Sequence, residues 1–203
     1  MNDLRELIRG SRVSKKELVG TSVRLTKETH SFIEGLAEQL SLTKQETIVQ
    51  LIEEGRRIAE AELRLDEPDD GNEIKNSKYI LLNTNKRNDT DDEKTMLEWK
   101  IAAAYYGKWK WEIDKLNKGD MIFLYSNGKG IIAYGEATGD TLVENKYGDE
   151  GECHYQYLNK FMELDKPISA QKIRDTLGYQ VVFMKTMIPL SHGEKLLNEI
   201  SNN

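Results

Sequence analysis

The sequence predicts an α+β protein with two folded units: a small unit of one strand and two helices, and a small mixed β-barrel with flanking helices. The chain has 203 residues, enough for two small domains. Helical periodicity dominates its first third, and short apolar strand segments dominate the rest. The predicted division is an N-terminal extension over 1–18, the first unit over 19–60, an acidic linker over 61–77 and the second domain over 78–203.

Composition narrows the class of protein. Hydrophobic residues make up 38% of the chain and charged residues 32%, and there is no run of ~18 apolar residues that would span a membrane. The N-terminus is charged where a signal peptide needs an apolar stretch. Cys153 is the one cysteine, which excludes an internal disulfide and a multi-cysteine zinc site. We therefore expect a cytoplasmic protein with no membrane contact, no metal and no cofactor.

The net charge of −6 is unevenly distributed. Residues 1–60 carry ten Lys/Arg and ten Asp/Glu, whereas residues 61–77 carry two against six. The acidity is concentrated in Asp66–Gly71, a run with Pro and Gly that is typical of a solvated linker. The overall charge argues against a strong generic polyanion binder. It does not argue against a protein that contacts nucleic acid through a few placed residues.

The first unit begins with a short strand. Thr21–Leu25 alternates polar and apolar residues with the period of two that indicates a strand. Thr26 follows as a candidate helix N-cap. The next apolar residues recur at i, i+3, i+4 and i+7, which predicts an amphipathic helix. They are Ile33, Leu36, Ala37 and Leu40.

A second amphipathic helix follows the first. Thr43 and Glu46 have the spacing of a capping box, in which each side chain bonds the other residue's backbone N–H. Leu51 and Ile52 lie on the apolar face of this helix. One unpaired strand and two short helices bury too little surface to be stable alone. We therefore expect a homodimer through residues 19–58, with the two strands paired antiparallel above a shared four-helix core.

This arrangement resembles the ribbon-helix-helix family of DNA-binding proteins, which insert a two-stranded ribbon into the major groove. The resemblance implies that Val23 and Leu25 face the core, while Arg24 is placed to donate two hydrogen bonds to a guanine edge. Free backbone N–H groups at the start of the second helix attract a phosphate. The predicted DNA-binding residues are Gly20, Ser22, Arg24, Thr43, Lys44 and Gln45.

Two features leave the function of the first unit open. Gly20 stands where the family often has a long polar side chain, which puts the breadth of sequence specificity in question. The strand and helices alternatively form a dimerisation module without DNA contacts. The extension over 1–18 is interpreted either as a mobile basic arm that touches phosphates or as a surface helix.

The second domain begins with the apolar strand Tyr79–Leu82. Asp91 and Asp92 are N-cap candidates for the helix that follows, and the acid-rich segment around them is interpreted as a solvated helix N-terminus. Asn127-Gly128 is a hairpin signal between two strand segments. The further predictions are a helix carrying Leu97, Ile101 and Ala104, strands over 121–125, 130–137, 154–158, 161–164 and 181–184, a helix from Ser169 to Leu177 and a last helix capped by Ser191.

Two segments of the second domain carry a family resemblance. Leu116–Ser126 has a Gly-Asp pair before a strand that ends in Tyr125-Ser126, and Ile131–Ala137 is the glycine-containing strand that follows. In this order, within residues 78–200, they resemble the Gly-Asp strand ending in Tyr-x-Ser and the next strand of the EVE-like members of the PUA superfamily. The histidine often found beside the Tyr-Ser pair is missing. The resemblance implies a pocket that receives a flipped or modified base. Such a base needs aromatic faces for stacking and a polar edge for its hydrogen bonds.

The predicted pocket combines three aromatic residues with three polar ones. Trp109 and Trp111 are two residues apart, so on a strand they would share one face. Tyr125 and Ser126 end the neighbouring strand, and Asn83 and Asn85 follow the first strand. The alternative is that these aromatic side chains belong to the barrel core. The expected ligand is a base, a nucleotide or a modified base in DNA.

Two other functional classes remain open. The segment beginning Gly107-Lys108-Trp109 is also similar to the neighbouring ASCH branch, some members of which hydrolyse modified nucleosides. In that case Lys108 and Glu112 are the candidates for proton transfer, and a buried Lys108 close to a carboxylate would favour catalysis. No nucleophile, phosphate-binding loop or metal motif gives positive evidence for an enzyme. The third alternative is an antitoxin-like repressor whose second domain binds a protein.

Overall fold

The computed structural model describes residues 19–65 and 77–201. The chain divides into two compact units, Met1–Arg57 and Ile58–Asn203. The predicted extension over 1–18 and most of the predicted linker lie outside the described residues. Two helices form the described part of the first unit, α1 (Lys27–Leu40) and α2 (Lys44–Glu62), the second of which continues past the unit boundary.

Both predicted N-terminal caps are confirmed. The Thr26 hydroxyl accepts a hydrogen bond from the Thr29 N–H at 3.2 Å at the start of α1. At the start of α2 the Thr43 N–H donates to Glu46 Oε2 at 2.9 Å, and the Glu46 N–H donates to the Thr43 hydroxyl at 3.2 Å. These reciprocal bonds satisfy two N–H groups that a helix leaves unpaired, so both helices begin where the sequence predicts.

The first unit buries few of its apolar side chains. Ile33 and Ala37 are its buried hydrophobic residues within the part of the chain that the structure describes. Residues 19–26 form no helix or strand within the single chain. The predicted strand over 21–25 requires a second copy to pair with, so it stays a prediction. Exposed apolar residues lie along the segment and both helices: Val23, Leu25, Phe32, Leu40, Val49, Leu51 and Ile52.

The second unit is a curled, mixed half-barrel with flanking helices, consistent with the small β-barrel that the sequence predicts. Its strands are β1 (Tyr79–Asn83), β2 (Ile101–Tyr105), β3 (Met121–Ser126), β4 (Gly130–Ala137), β5 (Leu142–Lys146), β6 (Asp149–Ile168) and β7 (Met187–Pro189). Its helices are α3 (Thr90–Trp99), a 3₁₀ helix (Lys110–Lys115), α4 (Ala170–Leu177) and α5 (Glu194–Ser201). None of the helices in the described part of the chain combines the length and apolar composition needed to cross a membrane.

The sheet order is β2-β6-β4-β3-β1-β7, and β5 pairs with the free side of β6. β1 and β3 run parallel, whereas the other pairs are antiparallel. The 20-residue β6 pairs with β2 and β5 in its first half and with β4 in its second. The β4–β6 register shifts twice, and Lys160 has a positive φ of 50°. Such irregularities increase local twist, which accounts for the curl of the sheet.

Successive side chains of β3 point to opposite faces and build two cores. Ile122 and Leu124 pack with the residues of β2 and the 3₁₀ helix. Phe123 and Tyr125 pack with α4, α5 and the segment after α4. Tyr125 therefore belongs to a different core from the segment that carries the two tryptophans.

Several predicted elements are wrong, and each has a local cause. Ile101 and Ala104 lie in β2, because Lys100 adopts a left-handed conformation with φ of 56° and ends α3 at Trp99. Asp89, rather than Asp91 or Asp92, is the N-cap of α3. The other differences are a turn over 181–186 in place of a strand, β7 six residues further on, and a last helix that begins at Glu194 rather than next to Ser191.

Candidate nucleic-acid interface and base pocket

The predicted ribbon residues are accessible. Gly20, Ser22 and Arg24 are all exposed in the segment that precedes α1. Arg24 is flanked by Val23 and Leu25, whose side chains are exposed in the single chain. A second copy that covered these two apolar residues would leave Arg24 on the opposite face, because successive side chains of a strand point to opposite sides.

The predicted phosphate site at the start of α2 is already occupied by the chain's own groups. The Glu46 carboxylate accepts the Thr43 N–H and the Thr43 hydroxyl, and these bonds lower the pKa of Glu46. Lys44 Nζ lies 2.9 Å from Glu34 Oε1. Both members of this ion pair are about half exposed, so a phosphate in water competes with a weak interaction. Gln45 is exposed beside them.

The polar residues of the predicted base pocket lie at the carboxyl ends of β1 and β3, where Asn83 pairs with Tyr125. The Asn83 side chain donates to the Phe183 carbonyl at 3.0 Å and accepts from the Asn85 N–H at 3.0 Å. Asn85 takes a left-handed conformation with φ of 61°. Ser126 is fully buried, and its hydroxyl lies 3.4 Å from Lys86 Nζ. Three of the six predicted pocket residues are therefore neighbours in space.

The aromatic residues of the predicted pocket do not form one wall. Trp111 lies in the 3₁₀ helix and Trp109 immediately before it, so their spacing of two does not place them on one strand face. Trp111 is 54% exposed and meets the His154 ring edge-on at 4.6 Å. Tyr125 is buried and stacks on Phe183 at 4.6 Å. Tyr125 therefore packs in a core, whereas Trp111 presents a half-open ring.

The acidic start of α3, interpreted from sequence as solvated, is buried at two positions. Asp92 is fully buried and Glu93 is 7% exposed. Glu93 accepts the Thr84 hydroxyl at 2.7 Å and lies 3.5 Å from Lys86 Nζ. Asp92 accepts from the Asn85 amide at 2.6 Å through Oδ2 and pairs with Lys146 through Oδ1. Burial raises the pKa of Asp92, while the bonds from Lys146 and Asn85 oppose that rise.

Lys146, the last residue of β5, closes this cluster. Its ammonium lies 4.6 Å from the ring centre of Tyr105 and 4.5 Å from that of Tyr147. Asp89 Oδ2 is 3.6 Å away and accepts the Tyr147 hydroxyl at 2.7 Å. Burial opposes the charge of Lys146, but the hydrogen bond and charge of Asp92 outweigh it and raise the lysine pKa. The cluster is an enclosure that holds a cation between carboxylates and aromatic faces.

Sequence reasoning missed Asp92, Tyr105 and Lys146. Lys146 is separated from Asp92 by 54 positions, and only the pairing of β5 with β6 brings the two together. Helical spacing gives one sequence signal that Asp92 is buried. Asp92 lies one helical turn before the apolar Met96, on the same face of α3, and both side chains are fully buried.

The features that would favour catalysis are not found. Lys108 is exposed, and its ammonium lies 4.9 Å from the Trp109 ring centre. Glu112 is buried and pairs with Lys115 at 2.8 Å. Within residues 19–65 and 77–201, no group of three His, Cys, Asp or Glu side chains is placed to hold a metal ion.

Comparison with known proteins does not assign this chain to a family. The chain matches no protein-family model and no curated protein sequence.

Proposed function

We propose that the protein is a dimeric DNA-binding protein, a regulator or a sensor of modified DNA. In this proposal two N-terminal units pair through residues 19–58 as a ribbon-helix-helix fold. The C-terminal domain, of the EVE-like PUA type, recognises a base, a nucleotide or a modified base. Trp109 and Trp111 remain the predicted stacking residues, and Asn83, Asn85 and Ser126 remain the predicted polar edge, although Trp111 is half exposed and Ser126 is buried.

The observation that carries the proposal is the uncovered apolar surface of the first unit. Val23 is 70% exposed, Phe32 61% and Ile52 60%. Folded proteins rarely leave so many apolar side chains of one small unit in water unless a partner covers them. A second copy of the unit is the partner that would also pair the segment over 21–25 and present Ser22 and Arg24 together.

Two substitutions distinguish sequence-specific DNA recognition from non-specific DNA affinity. Arg24→Ala is expected to weaken binding to the preferred duplex by ~1–3 kcal/mol and to relax specificity at one base. Lys44→Ala is expected to weaken binding to all DNA sequences alike and to reduce the salt dependence of the affinity, because it removes a phosphate contact. Lys27→Ala, another exposed basic residue just after the ribbon, is the matched control. Unchanged binding of Arg24→Ala to every duplex would leave only dimerisation for this unit.

The second domain is tested in the same shift assay. The full chain and a variant truncated at residue 77 are compared on unmodified duplexes and on duplexes with modified cytosine or adenine. We expect the truncated protein to keep binding DNA but to lose any preference for the modified duplex. Equal preference in both proteins would contradict a base-recognising second domain.

A further inference from the structure

One polar atom in the acidic enclosure has no hydrogen-bond partner among residues 19–65 and 77–201. It is the Tyr105 hydroxyl, which is buried in a residue that is 7% exposed. A buried polar group without a partner is costly, and native structures contain few of them. Tyr105 is the last residue of β2, and Lys146 lies over its ring. Burial raises the pKa of its hydroxyl, and the charges of Asp92 and Asp89 add to that effect. The unpaired hydroxyl therefore belongs to the same enclosure.

The enclosure has the chemistry of a receptor for an amino group or a cation. Two tyrosine rings flank the position of Lys146 Nζ, and Asp92 Oδ1 bonds it. Asp92 Oδ2 is held by Asn85, and the Asp89 oxygens are held by Tyr147 and the Asp91 N–H. If Lys146 withdraws, Asp92 Oδ1 is thus the acceptor that it leaves open. The chain's own lysine fills a position that a ligand with an N–H donor also fits.

Lys146 is carried by a strand that lies largely outside the two cores. The first four residues of β5 are exposed, whereas the Lys146 side chain is largely buried, and the hydrogen-bonded partner of β5 is β6. The turn that follows places Tyr147 and Gly148 at positive φ, 51° and 94°. These residues are the two-residue turn between β5 and β6, in which Lys146 pairs with Asp149, and a hairpin turn of this length favours positive φ at both positions. Elements with few buried contacts open at low free-energy cost.

We propose that Asp92, Tyr105 and Tyr147 form the ligand-binding end of the base pocket, that Lys146 closes it in the free protein, and that the ligand is a heterocycle with an exocyclic amino group. This inference rests on the proposed base recognition by the C-terminal domain. The amino group donates to Asp92 Oδ1 in place of the ammonium. A neighbouring ring nitrogen or carbonyl accepts the Tyr105 hydroxyl, and the ring packs against Tyr147.

The proposal predicts which bases bind. Adenine, cytosine and guanine each carry an exocyclic amino group next to a ring acceptor. Thymine has no amino group, but its N3–H lies between two carbonyls, so the comparison compound is N3-methylthymidine, whose ring has no N–H donor. Titration calorimetry of the full chain with deoxyadenosine, deoxycytidine, deoxyguanosine and N3-methylthymidine measures this difference. We expect at least one of the amino-bearing nucleosides to bind about tenfold or more tightly than N3-methylthymidine, because N3-methylthymidine leaves a buried acceptor unpaired.

Two variants test the roles of Lys146 and Tyr105. Lys146→Met removes the competing ammonium and is expected to bind the nucleoside about tenfold more tightly. The reason is that a lysine no longer occupies the site in most of the free protein molecules. Lys160→Met is the matched control, since its partner Glu136 lies on β4 and the lysine is exposed. Tyr105→Phe removes only the unpaired hydroxyl. It is expected to keep or raise the Tm of the free protein while it weakens nucleoside binding about tenfold.

The outcomes separate this inference from the proposed function. If no nucleoside binds to the wild type or to Lys146→Met, base recognition itself is wrong. If nucleosides bind but Tyr105→Phe binds equally well, or if N3-methylthymidine binds as tightly as the others, only the assignment of this enclosure is wrong. A lower Tm for Tyr105→Phe would also overturn the assignment, because it would show that the hydroxyl is already satisfied. The Tyr105 variant decides the matter even if Lys146→Met fails to fold.

Discussion

At the residue scale, two of the three aromatic residues of the predicted pocket have opposite environments. Tyr125 is 5% exposed and stacks on Phe183 in a core. Trp111 is half exposed and touches His154 at one edge. A side chain whose removal leaves a cavity contributes to stability, whereas a half-open ring is available to a ligand.

Alanine substitutions are expected to separate these two environments. Tyr125→Ala should cost about 3–5 kcal/mol of unfolding free energy through cavity formation. Trp111→Ala should cost about 1 kcal/mol, the size of one aromatic edge contact. Urea denaturation of each variant measures the difference. If Trp111→Ala lowers the free energy of unfolding as much as Tyr125→Ala does, Trp111 is a core residue and not part of a binding site.

The single thiol makes the stability depend on alkaline pH. Burial raises the pKa of Cys153 from 9.0 to about 11. Between these values the unfolded chain loses the thiol proton while the folded chain keeps it, so the free energy of unfolding falls as pH rises. We expect the titration of this residue to lower the free energy of unfolding by about 1–3 kcal/mol at pH 11.

Cys153→Ala isolates that contribution. Because tyrosines and lysines titrate in the same range, the quantity to measure is the stability difference between wild type and Cys153→Ala at two pH values. These are pH 8, roughly a unit below the thiol's unfolded pKa, and pH 11, about its folded pKa. The difference should move in favour of the variant as pH rises. A constant difference would show that the thiol titrates alike in both states.

At the element scale, the β3–β4 hairpin depends on two glycines for different reasons. Both have positive φ, 82° at Gly128 and 114° at Gly130. A Cβ at Gly128 would meet no atom within 4 Å, whereas one at Gly130 would lie 1.9 Å from the Ile168 carbonyl oxygen. Gly130 therefore allows the close approach of β4 to the end of β6, and Gly128 serves only the turn.

The matched pair of alanine variants tests this distinction. Gly128→Ala should cost about 1–2 kcal/mol for the left-handed conformation alone. Gly130→Ala should cost about 1–3 kcal/mol more, because the backbone of β6 must shift. Thermal unfolding of the two variants gives the comparison. Equal melting temperatures would mean that the end of β6 adjusts without cost.

At the scale of the whole molecule, the assembly depends on the first unit. Leu25 and Leu51 are 43% and 41% exposed in the single chain. A charge at either position would be tolerated by a monomer but buried in the proposed dimer. Leu25→Asp or Leu51→Asp is therefore expected to cost several kcal/mol of dimer stability. Gln39→Glu, a charge at an exposed polar position of α1, is the control.

Light scattering and circular dichroism measure the outcome. The wild type and Gln39→Glu should have the mass of a dimer, and the leucine variants should lose both the dimer and helical signal. The unfolding of the second domain should be unaffected, since it has its own two cores. A wild-type chain that is a folded monomer at micromolar concentration would contradict the dimer.

The sequence alone determined the elements whose signals are local. Thr26 and the Thr43–Glu46 pair predicted the starts of α1 and α2, because a capping hydrogen bond joins residues three apart. Asn127-Gly128 predicted the hairpin between β3 and β4, and Ser169 predicted α4. The α+β class follows from the same local patterns.

The tertiary structure decided what depends on distant parts of the chain. The apolar run at 101–104 fits a helix or a strand, and only the partner strand β6 fixes it as β2. Asp92 is buried together with a compensating charge, that of Lys146, which lies in a hairpin more than fifty residues later in the sequence. A charge is buried when a partner compensates it, and a sequence does not show which distant group will be that partner. For this reason the sequence predicted the fold class and the polar ends of β1 and β3, while the acidic enclosure beside them emerged only from the packed sheet.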